Sequence, residues 1–172
     1  LNAVFVCPGN HDIDQDVLRA NSMIQDAHDA IRREGGAYDR DAALVRRLQQ
    51  PEARNMLYAP LREYNDFAAR FGCDFFGDAD SFVVEHDFEL NDGSTLRLRA
   101  LNSALLSGLS DARQSLYLGS RAWTLPRHDG VEYMVMSHHP PSWLLDEKEA
   151  GDALDSRAVI HLFGHEHDQR VI

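Results

Sequence analysis

The segment VEYMVMSHHPP, residues 131–141, is the part of the chain that most clearly predicts its fold. A short, mostly apolar run followed by histidines and prolines is typical of a buried strand that ends in a stiff loop. The same arrangement returns in AVIHLFGHEH, residues 158–167, and a third apolar run at residues 3–7 leads into PGNHD, residues 8–12. These runs predict strands of a layered α/β fold whose polar loops meet where the strands end.

The chain between the first and second of these strands predicts several helices and a hairpin. Apolar side chains recur at helical spacing, with Gly or Pro at the borders, so we expect helices at residues 14–34, at 39–49 and from Pro60 to Gly72. Asn91-Asp92-Gly93 separates two extended segments, residues 81–90 and 94–101, and is typical of a β-hairpin turn. A loop over residues 107–119 and a short helix over 120–125 follow. We expect one domain over residues 1–172, with the helices at about 14–72 as an insert that caps a site or forms an interface.

Composition indicates a soluble globular protein with an acidic surface. Hydrophobic residues make up 44% and charged residues 26% of the 172 residues, and the formal net charge is −11. Such a charge repels nucleic acid. The two cysteines form no CxxC pair, which favours a reducing, cytoplasmic setting. Apolar runs are too short to cross a bilayer, so no membrane is expected. The chain begins with Leu1 inside an apolar run, and we expect it to be an excerpt of a longer parent chain.

Histidines are concentrated in the three strand-end segments. Five of the nine histidines lie there: His11, His138, His139, His165 and His167. Neutral imidazole is the commonest nitrogen ligand of transition metals, and a strand end presents it rigidly. Of the others, His161 is expected inside the last strand with a structural role, and His28, His86 and His128 at the surface.

Each motif taken alone has a second explanation. Gly164-His165-Glu166-His167 could be two surface histidines in a loop, and Ser137-His138-His139 could be a stiff turn. Asn10, Asp12 or Asp14 could simply cap the helix that follows. Asn102-Ser103 could sit at the same rim, although a turn is the favoured interpretation.

Taken together and in order, the motifs resemble those of the calcineurin-like metallophosphoesterase family, in its bacterial cyclic-nucleotide-phosphodiesterase-like branch. The matches are Gly9-Asn10-His11-Asp12, the strand-end His138, and Gly164-His165-Glu166-His167, which span nearly the whole chain. The resemblance implies the C-terminal portion of a metallophosphoesterase-type β-sandwich flanked by helices, incomplete at its N-terminal side.

The resemblance also implies a role for each matched residue. Asn10, His138 and His165 would bind one divalent metal ion and His167 a second. His11 would act near the phosphate as proton donor or charge stabiliser, and Asp12 would orient His11 or cap the loop. His139 would lie behind the ligands or face the substrate, as could Asn102 from the same rim. Manganese, iron and zinc all suit these donors.

Two further motifs of the family, Asp-x-His and Gly-Asp-x-x-Asp, do not precede Gly9 in this sequence. Gly77-Asp78-Ala79-Asp80 comes too late and lacks the spacing, so it is interpreted as a loop. The missing carboxylate would bridge the two metals. We therefore expect this chain alone to bind metal weakly and not to turn over substrate, with the remainder of the parent chain upstream of Leu1 as its partner.

The function implied by the resemblance is a metal-dependent hydrolase, a phosphodiesterase or phosphatase, acting on a small anionic phosphoester. A nuclease of the same superfamily is one alternative, which the net charge disfavours. A non-catalytic scaffold or sensor that keeps the fold is the other, and the sequence upstream would distinguish it from an enzyme.

Overall fold

A mixed four-stranded sheet forms the centre of the computed structural model, which describes residues 4–76 and 82–166. Its strands, in spatial as well as chain order, are β1 (Val83–Glu89), β2 (Thr95–Leu101), β3 (Val131–Ser137) and β4 (Ala158–Phe163). The first two pair antiparallel, whereas β2, β3 and β4 run parallel. Parallel strands end at the same edge of a sheet, so the loops after β2, β3 and β4 lie together. The sequence predicted this for the loops after β3 and β4 and left it open for Asn102 after β2.

The hairpin between β1 and β2 forms where Asn91-Asp92-Gly93 predicts it. Gly93 adopts a left-handed backbone with φ +84°, which glycine reaches without a steric penalty. The Asp92 carboxylate accepts hydrogen bonds from the Ser94 backbone N–H at 3.0 Å and the Ser94 hydroxyl at 2.6 Å. These bonds close the turn and set the strand register that begins with Glu89 opposite Thr95.

Helices flank the sheet and make up most of the chain before it. They are α1 (Gln15–Ala20), α2 (Ser22–Arg32), α3 (Ala37–Gln49), α4 (Pro51–Tyr58), α5 (Arg62–Ala68), α6 (Ser120–Trp123) and α7 (Glu147–Arg157). Short 3₁₀ turns occupy Asn10–Asp12, Ala59–Leu61, Ala69–Phe71 and Pro141–Trp143. The predicted helices at 39–49 and before Gly72 are confirmed, and Gly72 ends the last one with φ +65°. No helix among the described residues is long and apolar enough to cross a membrane.

Two helix boundaries differ from the prediction. The single helix expected over residues 14–34 is broken at Asn21, whose side chain accepts a hydrogen bond from the Met23 backbone N–H at 3.1 Å. Asn is a strong helix N-cap, so it starts α2 afresh. The stretch after Pro51 was not expected to be helical, yet α4 begins at that proline. A proline in the first turn lacks only an N–H that the helix would leave unpaired.

The predicted strand at residues 3–7 is wrong for its described part. Residues 4–7 join no ladder, and Val4 is 48% exposed. The Phe5 ring packs instead on His86 and Phe88 of β1, with ring centroids 4.8 and 5.4 Å apart. A strand needs a neighbouring backbone to pair with, and an apolar run alone does not supply one.

A second correction concerns burial. The strand at Ala158–Phe163 was expected to be buried, but as the sheet edge it exposes about half of Val159, Ile160 and Leu162.

His28 was expected at the surface, but it is 1% exposed on the inner face of α2. It lies four residues after Ile24 and three before Ile31, both buried, and residues at these spacings share one helix face.

Candidate metal centre

Three separate segments bring nitrogen and oxygen donors together at the end of β3 and β4. The Nε2 atom of His138 lies 2.9 Å from the Oδ1 atom of Asn10 and 3.2 Å from the Nδ1 atom of His165. The third side of this triangle, Nδ1 of His165 to Oδ1 of Asn10, is 3.3 Å. The structure therefore brings together three of the four predicted ligands. The fourth, His167, lies outside the described residues.

Glycines on two sides allow the His138 ring to sit in this triangle. A Cβ atom at Gly9 would lie 2.7 Å from the Nδ1 atom of His138, and one at Gly164 would lie 3.4 Å from the same atom. The Gly164 backbone N–H also donates a hydrogen bond to the His138 carbonyl at 3.0 Å. The glycines of both predicted motifs thus serve close packing around one imidazole.

The turn that carries Asn10 is held by Asp12. The Asp12 carboxylate accepts a hydrogen bond from the Gly9 backbone N–H at 2.8 Å, and the Asp12 N–H donates to the Gly9 carbonyl at 3.0 Å. Helix α1 has its own cap, because Asp14 accepts from the backbone N–H groups of Asp16 and Val17. The capping question left open by the sequence is thereby resolved: Asp12 belongs to the loop and Asp14 to the helix. His11 is exposed beside Asn10, at the mouth of an open cavity of about 340 Å³.

His139 lies directly behind the triangle and is 1% exposed. Its ring centroid is 4.7 Å from those of both His138 and His165. The Ser103 hydroxyl contacts Nδ1 of His139 at 3.0 Å and accepts from its backbone N–H at 3.0 Å. Burial, followed by the neighbouring His138 and His165, lowers the pKa of His139 to about 3, so the ring is neutral at pH 7. Of the two roles predicted for His139, this position favours support of the ligands over contact with substrate.

Asn102 directly follows β2 and leads into a turn, as the sequence favoured. It is 5% exposed, and its Oδ1 atom accepts a hydrogen bond from the Ala104 backbone N–H at 3.2 Å. Asn102 precedes Ser103 in the chain, and the contact of Ser103 with His139 was not predicted. Ser103 lies just after the parallel strand β2, and this position is the sequence feature that could have indicated the contact.

The spacing of the donor atoms suits a metal ion. Metal–nitrogen bonds of about 2.0–2.1 Å place neighbouring ligand atoms roughly 2.9–3.4 Å apart in octahedral or tetrahedral geometry. The observed separations of 2.9, 3.2 and 3.3 Å fall in this range. The nitrogens of His138, His139 and His165 also lie within 4.8 Å of one another. Burial and the nearby His165 lower the pKa of His138, which favours the neutral form that binds metals.

His165 occupies this site in a strained backbone conformation. Its φ of +62° is left-handed, a region that non-glycine residues rarely adopt. The Trp143 ring packs against the His165 ring at a centroid distance of 4.0 Å. Glu166, the next residue, forms an ion pair with Arg113 from the loop after β2. Sequence reasoning did not identify this ion pair, because the two residues are far apart in the chain and the motif that contains Glu166 does not indicate a partner for it.

Comparisons with models of known protein families, with curated proteins and with solved structures find no match. The resemblance to calcineurin-like phosphoesterases therefore depends on the three motifs and on the convergence of their side chains.

Proposed function

We propose that this chain carries one half of the metal centre of a calcineurin-like phosphoester hydrolase. The observation that carries the proposal is the triangle of Asn10, His138 and His165 donor atoms, with sides of 2.9–3.3 Å. These residues come from three distant parts of the chain and occupy the positions that the family resemblance assigns to ligands. In the proposed site they hold one divalent cation, and His167 contributes to a second.

The chain's own residues have distinct parts in this proposal. Asn10 supplies a neutral oxygen, while the low pKa of His138 keeps its imidazole ready to bind a cation. His11 stays off the triangle and is exposed, so it can give a proton to the leaving oxygen of a phosphoester. The carboxylate of Asp12 is engaged by the Gly9 N–H and holds the turn in place. When bound, a pair of divalent cations lowers the pKa of a coordinated water and neutralises the substrate's charge.

We extend the proposal to the layered β-sandwich of that family. The described sheet would be one of its layers. The support is strand β4, where Ile160 is 47% and Leu162 48% exposed. These side chains are two residues apart and share one face of the sheet, which a further layer would cover.

Metal titration tests the proposed centre directly. Calorimetric titration of the chain with Mn²⁺ or Zn²⁺ is expected to show binding that His138→Ala and Asn10→Ala each weaken by at least about tenfold. His128→Ala is the matched control, because His128 is exposed next to the β3 start, at the opposite end of that strand. Equal affinity in the wild type and in both ligand variants would refute the centre.

Hydrolysis tests the reaction. The family resemblance implies that the bridging carboxylate comes from motifs that do not precede Gly9 here, so we expect slow or no cleavage of a chromogenic phosphodiester by this chain. A longer chain with both motifs should cleave it in a metal-dependent manner and lose that activity in His11→Ala. Fast metal-dependent cleavage by the present chain would contradict the proposal that it carries only one half of the metal centre.

A further inference from the structure

Three side chains outside the triangle converge on the loop that carries His165. Trp143, in the 3₁₀ turn after β3, contacts the His165 ring at 4.0 Å and lies 6.0 Å from the His139 ring. Its indole Nε1 atom lies 3.4 Å from Oε1 of Glu166, and the same oxygen pairs with Arg113. One carboxylate thus connects the turn after β3, the loop after β4 and the loop after β2.

The backbone around His165 requires such outside support. A left-handed conformation costs a non-glycine residue on the order of 1–2 kcal/mol, so it persists only where surrounding contacts determine it. Backbone bonds of the loop include Glu166 N–H to the Gly164 carbonyl at 2.6 Å and Gly164 N–H to the His138 carbonyl at 3.0 Å, and the side-chain contacts of Trp143 and Arg113 add to them. Gln114, next to Arg113, is the other non-glycine residue with positive φ among those described, at +57°. The ion pair therefore joins two strained loops.

The Arg113 loop is itself anchored to the Trp143 turn. The Leu116 backbone N–H donates to the Trp143 carbonyl at 3.1 Å, and the Leu145 N–H donates back to the Leu116 carbonyl at 2.6 Å. Arg113, Trp143 and Glu166 consequently form one connected unit, which contacts a candidate ligand through the Trp143 ring on His165.

We propose that Arg113, Trp143 and Glu166 are positioning residues that hold the His165 imidazole in its metal-binding orientation. The proposal rests on the proposed function, because it assigns a purpose to the orientation of one ligand. The Trp143 ring limits rotation of the imidazole, while the Glu166–Arg113 pair holds the strained loop against the neighbouring one. None of the three needs to touch the metal or the substrate.

The test is the affinity and the absorption spectrum of bound Co²⁺, whose visible bands report the geometry of its ligands. Trp143→Ala is expected to raise the Co²⁺ dissociation constant by about tenfold and to alter the bands, as loss of a residue supporting a ligand does. Trp143→Phe keeps a ring against His165 and should restore both affinity and spectrum nearly to wild type. A purely structural role would lower thermal stability in these variants without changing the spectrum.

The ion pair is tested by a double-mutant cycle. Arg113→Gln and Glu166→Gln are each expected to weaken Co²⁺ binding by about two- to fivefold, since exposed ion pairs are worth at most ~1 kcal/mol. The double variant should be no weaker than the singles, because both changes remove one interaction. Glu147→Gln is the matched control: Glu147 accepts from Gln114 at 2.7 Å in the same region, and among the described residues no hydrogen bond or ion pair joins Glu147 to the His165 loop.

The possible results separate the two proposals. A wild-type chain that binds no Co²⁺ would overturn the proposed centre and the positioning role with it. A wild-type chain that binds Co²⁺ through His138, with the variants at Arg113, Trp143 and Glu166 all unchanged in affinity and spectrum, would overturn the positioning role alone.

Discussion

Two buried histidines, one in the helical layer (helices α1–α5, residues 15–68) and one at the strand ends, share the same burial and a similarly lowered pKa. His28 and His139 are each 1% exposed, and burial lowers the pKa of each to about 3. Each has ring nitrogen without a hydrogen-bond partner among the described residues. Only His139 lies beside other donors, with His138 and His165 rings 4.7 Å away. Burial and a shifted pKa thus do not distinguish a site from a core, whereas convergence of donors from separate segments does.

The largest effect is expected from a methyl group added at the strand ends. Gly9→Ala places a Cβ atom 2.7–2.8 Å from three atoms of the His138 ring, closer than packed atoms approach. Either the His138 ring or the turn that carries Asn10 must shift, which disturbs the triangle, and we expect metal affinity to fall by about 100-fold, the upper range for a disturbed ligand. Calorimetric titration with Mn²⁺ measures the loss.

Gly35→Ala is the control for this change. A Cβ atom at Gly35 would meet nothing within 4 Å, and Gly35 borders the helical layer. Its metal affinity should equal that of the wild type. If Gly9→Ala also binds like the wild type, the His138 ring does not occupy the position on which the site depends.

In the helical layer, the corresponding prediction concerns His28 and the pH dependence of the free energy of unfolding. The pKa of His28 is about 3 in the folded protein, lowered by burial and then by Arg32, against 6.5 in the unfolded chain. Below pH 6.5 only the unfolded state takes up the proton, so stability falls as pH drops towards 3, by about 1.4 kcal/mol per unit. His28→Leu should remove this term and reduce the loss between pH 7 and pH 5 by about 2 kcal/mol.

Urea unfolding of the wild type and His28→Leu at the two pH values measures this difference. His128→Gln is the control, because His128 is exposed and its replacement should leave the pH dependence unchanged. Metal affinity at pH 7 should be the same in all three proteins. An identical acid loss in His28→Leu would mean that His28 does not stay neutral in the folded state.

The sequence predicted features that local chemistry determines. Asn91-Asp92-Gly93 specifies a turn by itself, and the parallel strands β3 and β4 bring their ends together whatever their neighbours do. His138 and His165 could therefore be placed near each other before the structure was known. The burial of His28 was also within reach, because its spacing from Ile24 and Ile31 places it on the buried face of α2.

Other features depend on partners that are distant in the chain. The run at residues 4–7 has strand-like composition but pairs with no strand among the described residues, and Phe5 packs on β1 side chains instead. The pair of Arg113 and Glu166 joins residues 53 positions apart. No local pattern signals either arrangement, so the support of the His165 loop is visible only in three dimensions.

The smallest effect is expected for two aspartates, Asp12 in the turn that carries Asn10 and Asp14 at the start of α1. Asp14 caps α1, and Asp14→Ala should cost about 1 kcal/mol of stability, as loss of an N-cap does. Metal affinity should not change, because the Asp14 carboxylate bonds to backbone N–H groups of α1. Asp12→Ala, by contrast, releases the Gly9 N–H and the turn that carries Asn10, and should weaken Mn²⁺ binding. Urea unfolding measures the stability of both variants, and metal titration measures their Mn²⁺ affinity. If Asp14→Ala weakens Mn²⁺ binding as much as Asp12→Ala, the helical layer contributes to the site, and the contrast between the two regions does not hold.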